Sequence, residues 1–325
     1  MCGIVGAVAE RNVVPILMEG LRRLEYRGYD SAGIAIRTDE GISRIRRVGK
    51  VQELQNALDE TPVRGGTGIS HTRWATHGVP NETNAHPHLS SNTVAIVHNG
   101  IIENYEELRD DLKSKGYEFT SDTDTETVAH RIHFNLQNAD DFVGAVRMTV
   151  AELEGAYAIA VISADQPEQL VIARQGAPAV VGLGIDENFV ASDVAALLPV
   201  TRNFQFLEEG DVALVERKQV TIWDERGNVV DRPVRESALD ADAAERGEFR
   251  HYMLKEIYEQ PAAVARTLDG RIADGRVLDA SFGPLANDAL DKTRNVHIVA
   301  CGTSYHAGLV ARYWIESLCR LPCTV

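Results

Sequence analysis

The chain has 325 residues, 44% of them hydrophobic and 25% charged, which is ordinary for a globular protein and long enough for about two domains. Its formal net charge of -15 would repel nucleic-acid phosphates and anionic membrane surfaces, so composition argues against both as partners and points to small substrates. No apolar run reaches the roughly 18 to 20 residues a membrane helix needs, and Met1-Cys2-Gly3-Ile4 lacks the basic stretch of a signal peptide, so a cytoplasmic location is expected.

Cys2 to Val8 is a short apolar run punctuated by glycine, which predicts a buried strand. Val14, Leu17, Met18, Leu21 and Leu24 recur at helical spacing, so a helix is predicted over Val13 to Leu24, followed by the loop Tyr26-Arg27-Gly28-Tyr29-Asp30. Strands are predicted at Gly33 to Arg37, Ile42 to Val48, Thr67 to His71 and Thr93 to Val97, the last running into His98-Asn99-Gly100. Helices are predicted at Tyr105 to Lys115, after Asn104, and at Glu126 to Asn138, after Thr123-Asp124-Thr125. Further strands follow at Ala156 to Ser163, Leu170 to Ala173, Ala179 to Leu183, Phe189 to Ala191 and Asp211 to Glu216. This β-rich order, with two helical blocks and no regular βα alternation, fits an α+β fold of two packed sheets flanked by helices.

Between Glu236 and Gly247 the composition turns to Asp, Glu, Ala and Ser, which reads as a linker. The expected organisation is therefore a first domain over 1–235, a linker with connecting helices over 236–294, and the start of a second domain over 295–325. Tyr252 to Leu268 has the length of a helix that Pro261 is expected to kink or divide. Asn295 to Ala300 is an apolar strand leading through Cys301-Gly302-Thr303-Ser304 to a predicted helix over His306 to Leu318, the opening of an α/β unit.

The four cysteines are too few and too unevenly spread for a disulfide framework. Cys319 and Cys323 have a metal-like spacing without a second pair, and His86-x-His88 lacks a further ligand, so no metal is expected. Cys2 has a distinctive possibility. Removal of Met1 would leave one residue carrying both a thiol and a free α-amine, and an amine of pKa about 8 can serve as base to its own nucleophile. Taken alone, Cys2 also reads as a small hydrophobe opening a strand. Three polar blocks accompany it at predicted strand ends, where sites are commonly built: His71-Thr72-Arg73-Trp74-Ala75-Thr76-His77-Gly78, Asn84-Ala85-His86-Pro87-His88 and His98-Asn99-Gly100.

Together with Cys2-Gly3-Ile4-Val5-Gly6 and Glu25-Tyr26-Arg27-Gly28-Tyr29-Asp30-Ser31-Ala32-Gly33, these blocks resemble the class II glutamine amidotransferases, and within them the glucosamine-6-phosphate synthase family, over essentially the whole chain. The resemblance implies an N-terminal-nucleophile hydrolase fold, a four-layer αββα sandwich, followed by a linker and the incomplete start of a sugar isomerase (SIS) domain. It implies Cys2 as nucleophile, Asn99 and Gly100 as donors to the oxyanion, Arg73 and Asp124 as the grip on the α-carboxylate and α-ammonium of glutamine, and Thr76 and His77 as pocket lining. Arg27 would belong to a loop closing over glutamine, and Trp74 to the gate of an ammonia channel, although Trp74 also reads as core filler. Thr303 and Ser304 would line part of a fructose 6-phosphate site. No metal or organic cofactor is implied, the substrates would be L-glutamine and fructose 6-phosphate, and the full-length parent would be a homodimer. The chain itself would carry the glutamine-hydrolysing half. Alternatives are an amidotransferase with another acceptor and a glutamine-binding module without turnover.

Overall fold

The computed structural model describes residues 2–237, 249–268, 271–273, 276–277 and 290–325. The chain divides into two compact units, Met1–Gly247 and Glu248–Val325. Among the described residues of the first unit, fifteen strands form two antiparallel sheets. In chain order they are β1 (Gly3–Val8), β2 (Ser31–Thr38), β3 (Gly41–Val48), β4 (Thr67–Arg73), β5 (His88–Ser90), β6 (Val94–Ile102), β7 (Gly155–Ser163), β8 (Gln169–Gln175), β9 (Val180–Leu183), β10 (Asn188–Ala191), β11 (Asn203–Phe206), β12 (Val212–Glu216), β13 (Val220–Trp223), β14 (Val229–Val230) and β15 (Val234–Glu236). One sheet has the order β15-β11-β9-β10-β1-β4-β2-β3, the other β14-β13-β12-β8-β7-β6-β5.

Side-chain alternation along the strands makes the layers. On β1, Val5 and Ala7 pack with Leu17, Leu21 and Leu24 of α1 (Val14–Leu24) and with Leu54 and Leu58 of α2 (Val51–Glu60). Ile4 and Val8 point the other way, meeting Ala95, Val97, Ala160 and Ile172 of the second sheet in a dry layer between the sheets. The far face of that sheet, Ile96, Ile159 and Val161, packs on Val128 and Ile132 of α4 (Asp124–Asn135) and Val146 of α5 (Phe142–Val150). α3 (Tyr105–Ser114) precedes these two helices. The four layers are helix, sheet, sheet, helix, an α+β sandwich as the sequence predicts.

Two helices escape the sequence reading. α2 is short and polar, with only Val51, Leu54, Ala57 and Leu58 buried, and α5 opens where the Asp141 side chain accepts the Gly144 N–H at 2.6 Å. Two strands run further than predicted into the polar blocks. β4 continues to Arg73 because it pairs there with Ser31, and β6 continues through Asn99 and Gly100 because these residues pair with Ala158 and Tyr157. His71 to Arg73 and His98 to Gly100 therefore lie within strand ladders, whereas Trp74 to Gly78 and Asn84 to Pro87 lie in the loops that adjoin them.

In the second unit, α6 (Tyr252–Leu268) runs through Pro261 as one helix and is not divided. The expected linker falls, from 238 on, outside the described residues. β16 (Ile272–Ala273) and β17 (Arg276–Val277) form a short antiparallel pair. β18 (Val296–His297) is joined through α7 (Gly302–Trp314) to the parallel strand β19 (Cys323–Thr324), a small βαβ crossover. Only Val296 and His297 of the apolar run Asn295 to Ala300 are strand, since pairing is limited to two residues of β19.

Candidate active site

β1 pairs with β4 in a register that sets Gly3 opposite Thr72. Cys2 is thereby placed beside the end of β4, where the Trp74 N–H points at its sulfur: N to Sγ is 3.2 Å, and Sγ is 3.5 Å from the Trp74 carbonyl oxygen. Burial pushes the Cys2 thiol pKa up, while the Trp74 N–H and the positive charge of Arg73 act in the opposite direction. The Cys2 carbonyl accepts from Asn99 Nδ2 at 3.3 Å and Arg27 Nη1 at 3.4 Å. A thiol with a backbone donor and a side-chain amide beside it is suited to attack a carbonyl carbon and stabilise the resulting oxyanion.

Asn99 and Gly100 come from β6 of the opposite sheet. The side-chain oxygen of Asn99 lies 2.9 Å from His71 Nε2. Gly100 has φ of +126°, and a Cβ on it would lie 2.0 Å from the Ala156 carbonyl oxygen on β7. The neighbouring strand alone therefore demands glycine here.

The cleft containing Cys2 is lined by Arg73, Trp74, Thr76, His77, His86, His98, Gly100, Thr123, Asp124 and Thr125. Arg73 is buried and donates through Nη2 to the His77 carbonyl, while Nη1 has no hydrogen-bond partner and stands 3.9 Å from Asp30. An unpaired guanidinium donor is chemically suited to a carboxylate partner. Asp124 is also buried. It sits at the start of α4, whose cap is the Thr123 hydroxyl accepting from the Glu126 N–H, and its Oδ2 accepts the Ile102 N–H at 3.0 Å. Positive and negative groups thus line one cleft. Thr76 is exposed and His77 partly so, its ring meeting Tyr105 edge-on at 5.2 Å. Trp74 is 56% exposed, so it does not fill the core.

Arg27 stands beside this cleft and not in its lining. Its Nη2 is 2.5 Å from Asp193 Oδ2, which also accepts from Tyr26 at 2.9 Å. Gly28, with φ of +73°, brings the loop against the Trp74 ring, since a Cβ there would come within 3.0 Å of it. Thr303 and Ser304 are exposed residues in the first turn of α7, in the second unit.

The structure adds residues that sequence reasoning did not assign. Asp30 accepts the Ala75 N–H at 2.5 Å and lies near Arg73; its signal was its place in the Glu25 to Gly33 block. Asp193 stands outside every quoted block, and only the fold reveals it. His86, His98, Thr123 and Thr125 also line the cleft; all four belong to quoted segments but were themselves given no role. Two roomier clefts, about 430 and 700 Å³, are lined by other residues and contain neither Cys2 nor Asn99. Chemistry, not size, singles out the site.

A family model described as a glutamine amidotransferase domain matches residues 71–199. Among curated proteins, the glutamine--fructose-6-phosphate aminotransferases [isomerizing] of Shewanella oneidensis and Pseudomonas putida are each 59% identical to the chain, and that of Haemophilus influenzae is 57% identical. Each match covers 100% of this chain and 53% of the relative, so the chain spans about half the length of the curated relatives it matches. Among solved structures, a glutamine phosphoribosylpyrophosphate amidotransferase from B. subtilis has a TM-score of 0.61 at 24% identity, covering 70% of this chain and 50% of that one, and shares the fold. A structure described as the allosteric regulatory enzyme of purine biosynthesis also gives 0.61, at 25% identity over the same shares.

Proposed function

Because this chain belongs to the glutamine amidotransferase family, with relatives that are glutamine--fructose-6-phosphate aminotransferases, we propose that it hydrolyses the side-chain amide of L-glutamine to glutamate and ammonia through Cys2. One observation carries this reading: Cys2, Arg73, whose Nη1 donor is unused, and Asp124 line one narrow cleft. Its two charged walls match the two charged ends of an amino acid.

In this account, removal of Met1 frees the Cys2 α-amine. The amine takes the thiol proton, and the sulfur forms a bond to the amide carbon of glutamine. Negative charge moves to the amide oxygen, where the Asn99 NH2 group and the Gly100 N–H donate to it. The proton held by the amine passes to the leaving nitrogen, the carbon–nitrogen bond breaks, and ammonia departs. Water then attacks the thioester, releasing glutamate and the thiol. Arg73 binds the α-carboxylate and Asp124 the α-ammonium, with Thr76 and His77 completing the wall. Arg27 holds the covering loop, supported by its contact with Asp193. Trp74, exposed and largely apolar, is suited to a gate that keeps ammonia away from water, where protonation would end its nucleophilicity.

The full-length parent would pass this ammonia to fructose 6-phosphate, giving glucosamine 6-phosphate, and would act as a homodimer in the cytoplasm. Among the described residues no helix is long and apolar enough to cross a membrane. Thr303 and Ser304, at a helix start following a strand, are suited to hold phosphate or sugar oxygens of that acceptor. The test is to incubate the processed protein with an electrophilic glutamine analogue and map the adduct. Attachment to Cys2 supports the reading, and attachment elsewhere with Cys2 unmodified overturns it. A protein that retains Met1 and binds glutamine without turnover would be a binding module instead.

A further inference from the structure

Asn99 can serve an oxyanion only if its NH2 group, and not its carbonyl oxygen, faces Cys2. Both ends of the amide bear on that orientation. Nδ2 lies 3.3 Å from the Cys2 carbonyl oxygen, which can only accept, so the donor end is on that side. Oδ1 can likewise only accept, and it lies 2.9 Å from His71 Nε2, so that ring nitrogen must carry a proton. His71 is 0% exposed, stacks on His86 at 4.3 Å, and its Nδ1 has no hydrogen-bond partner. A doubly protonated ring would bury an unpaired N–H beside Arg73.

We infer that His71 is a positioning residue for amide hydrolysis: its Nε2–H holds the Asn99 oxygen and so aims the Asn99 NH2 group at the oxyanion. One N–H bonds the Cys2 carbonyl and the second is directed to the substrate. With the amide reversed, an oxygen would face the developing negative charge, so donation would become repulsion. The inference rests on the proposed role of Cys2 and Asn99. Burial supports it, holding the His71 pKa down at about 3 and the ring neutral.

The test compares glutamine hydrolysis by His71→Leu, which keeps bulk without a donor, and His71→Gln, whose amide nitrogen can replace Nε2–H. Loss of one oxyanion donor costs about 10²- to 10³-fold in kcat, so His71→Leu should lose about 30-fold or more in kcat with apparent KM within about threefold, and His71→Gln should recover most of it. In an Asn99→Ala background the same His71→Leu change should cost less than about twofold more. An unchanged kcat in His71→Leu, or an equal loss with and without Asn99, overturns the inference. Should the substituted chains fail to fold, ¹⁵N NMR of the unsubstituted protein at pH 7 decides: a neutral His71 protonated on Nε2 supports it, and protonation on Nδ1 overturns it. Failure of the underlying reading is distinguishable, because Cys2→Ala would then retain hydrolysis, whereas failure of this inference leaves Cys2→Ala inactive.

Discussion

A methyl group on Gly100 would lie 2.0 Å from the carbonyl oxygen of Ala156 on the next strand. The resemblance implied only a donor role for Gly100, but the ladder itself excludes a side chain. Gly100→Ala is therefore expected to destabilise the fold as well as the site. Strain at φ of +126° and the clash together should cost about 2 to 5 kcal/mol. Thermal unfolding checks this, and a midpoint equal to that of the unsubstituted protein would contradict it.

Arg73 should control affinity. Hydrogen bonds to a charged group contribute about 1.5 to 3 kcal/mol, so Arg73→Ala is expected to raise the apparent KM for glutamine about 100-fold with a smaller effect on kcat. Arg73→Lys should recover only part, since a point charge lacks the planar fork. A KM unaffected by either substitution would remove Arg73 from the pocket.

Asp193 tests the loop. It joins Arg27 at 2.5 Å and Tyr26 at 2.9 Å, far from both in sequence. Asp193→Ala should remove one anchor of Arg27 and raise the apparent KM about fivefold, consistent with a partly buried ion pair of roughly 1 kcal/mol. Arg27→Ala and Asp193→Ala should not be additive. Additive losses in the double variant would show that the pair does not act together.

Acid should unfold the first unit through its histidines. Burial lowers the pKa values of His71, His86, His88 and His98, so each stays neutral in the fold while the unfolded chain protonates near 6.5. The unfolded state then binds more protons, and stability rises with pH. The contribution is complete above about pH 6.5 and is lost on acidification; for His71 the loss continues to about pH 3 and reaches about 2 kcal/mol by pH 5. Denaturant unfolding at pH 7.5 and pH 5 reads it, with greater stability expected at pH 7.5. Equal or greater stability at pH 5 would contradict the neutral assignment.

Much of this was legible in sequence because burial leaves a period. The glycine-broken run of β1, the helical spacing of Leu17, Leu21 and Leu24, and the continuous apolar run of β7 predicted their elements within a residue or two. α2 and α5 were missed because, at ten and nine residues, each offers fewer than three turns of pattern. The extension of β6 through Asn99 was missed because its partner β7 lies more than fifty residues on, and pairing leaves no local mark. The same holds for Asp193, placed beside Arg27 by the fold across a separation of 166 residues. Polar blocks drew attention to Arg73, Asn99 and Asp124, but the partners that orient them, Asp30 and His71, became evident only from distances.

The most direct measurement is glutamate release from L-glutamine by the Met1-processed protein beside its Cys2→Ala variant. Steady hydrolysis by the first and none above background by the second is the predicted result. Equal release by both would contradict the assignment of Cys2 as nucleophile, and with it the chemistry built on that sulfur.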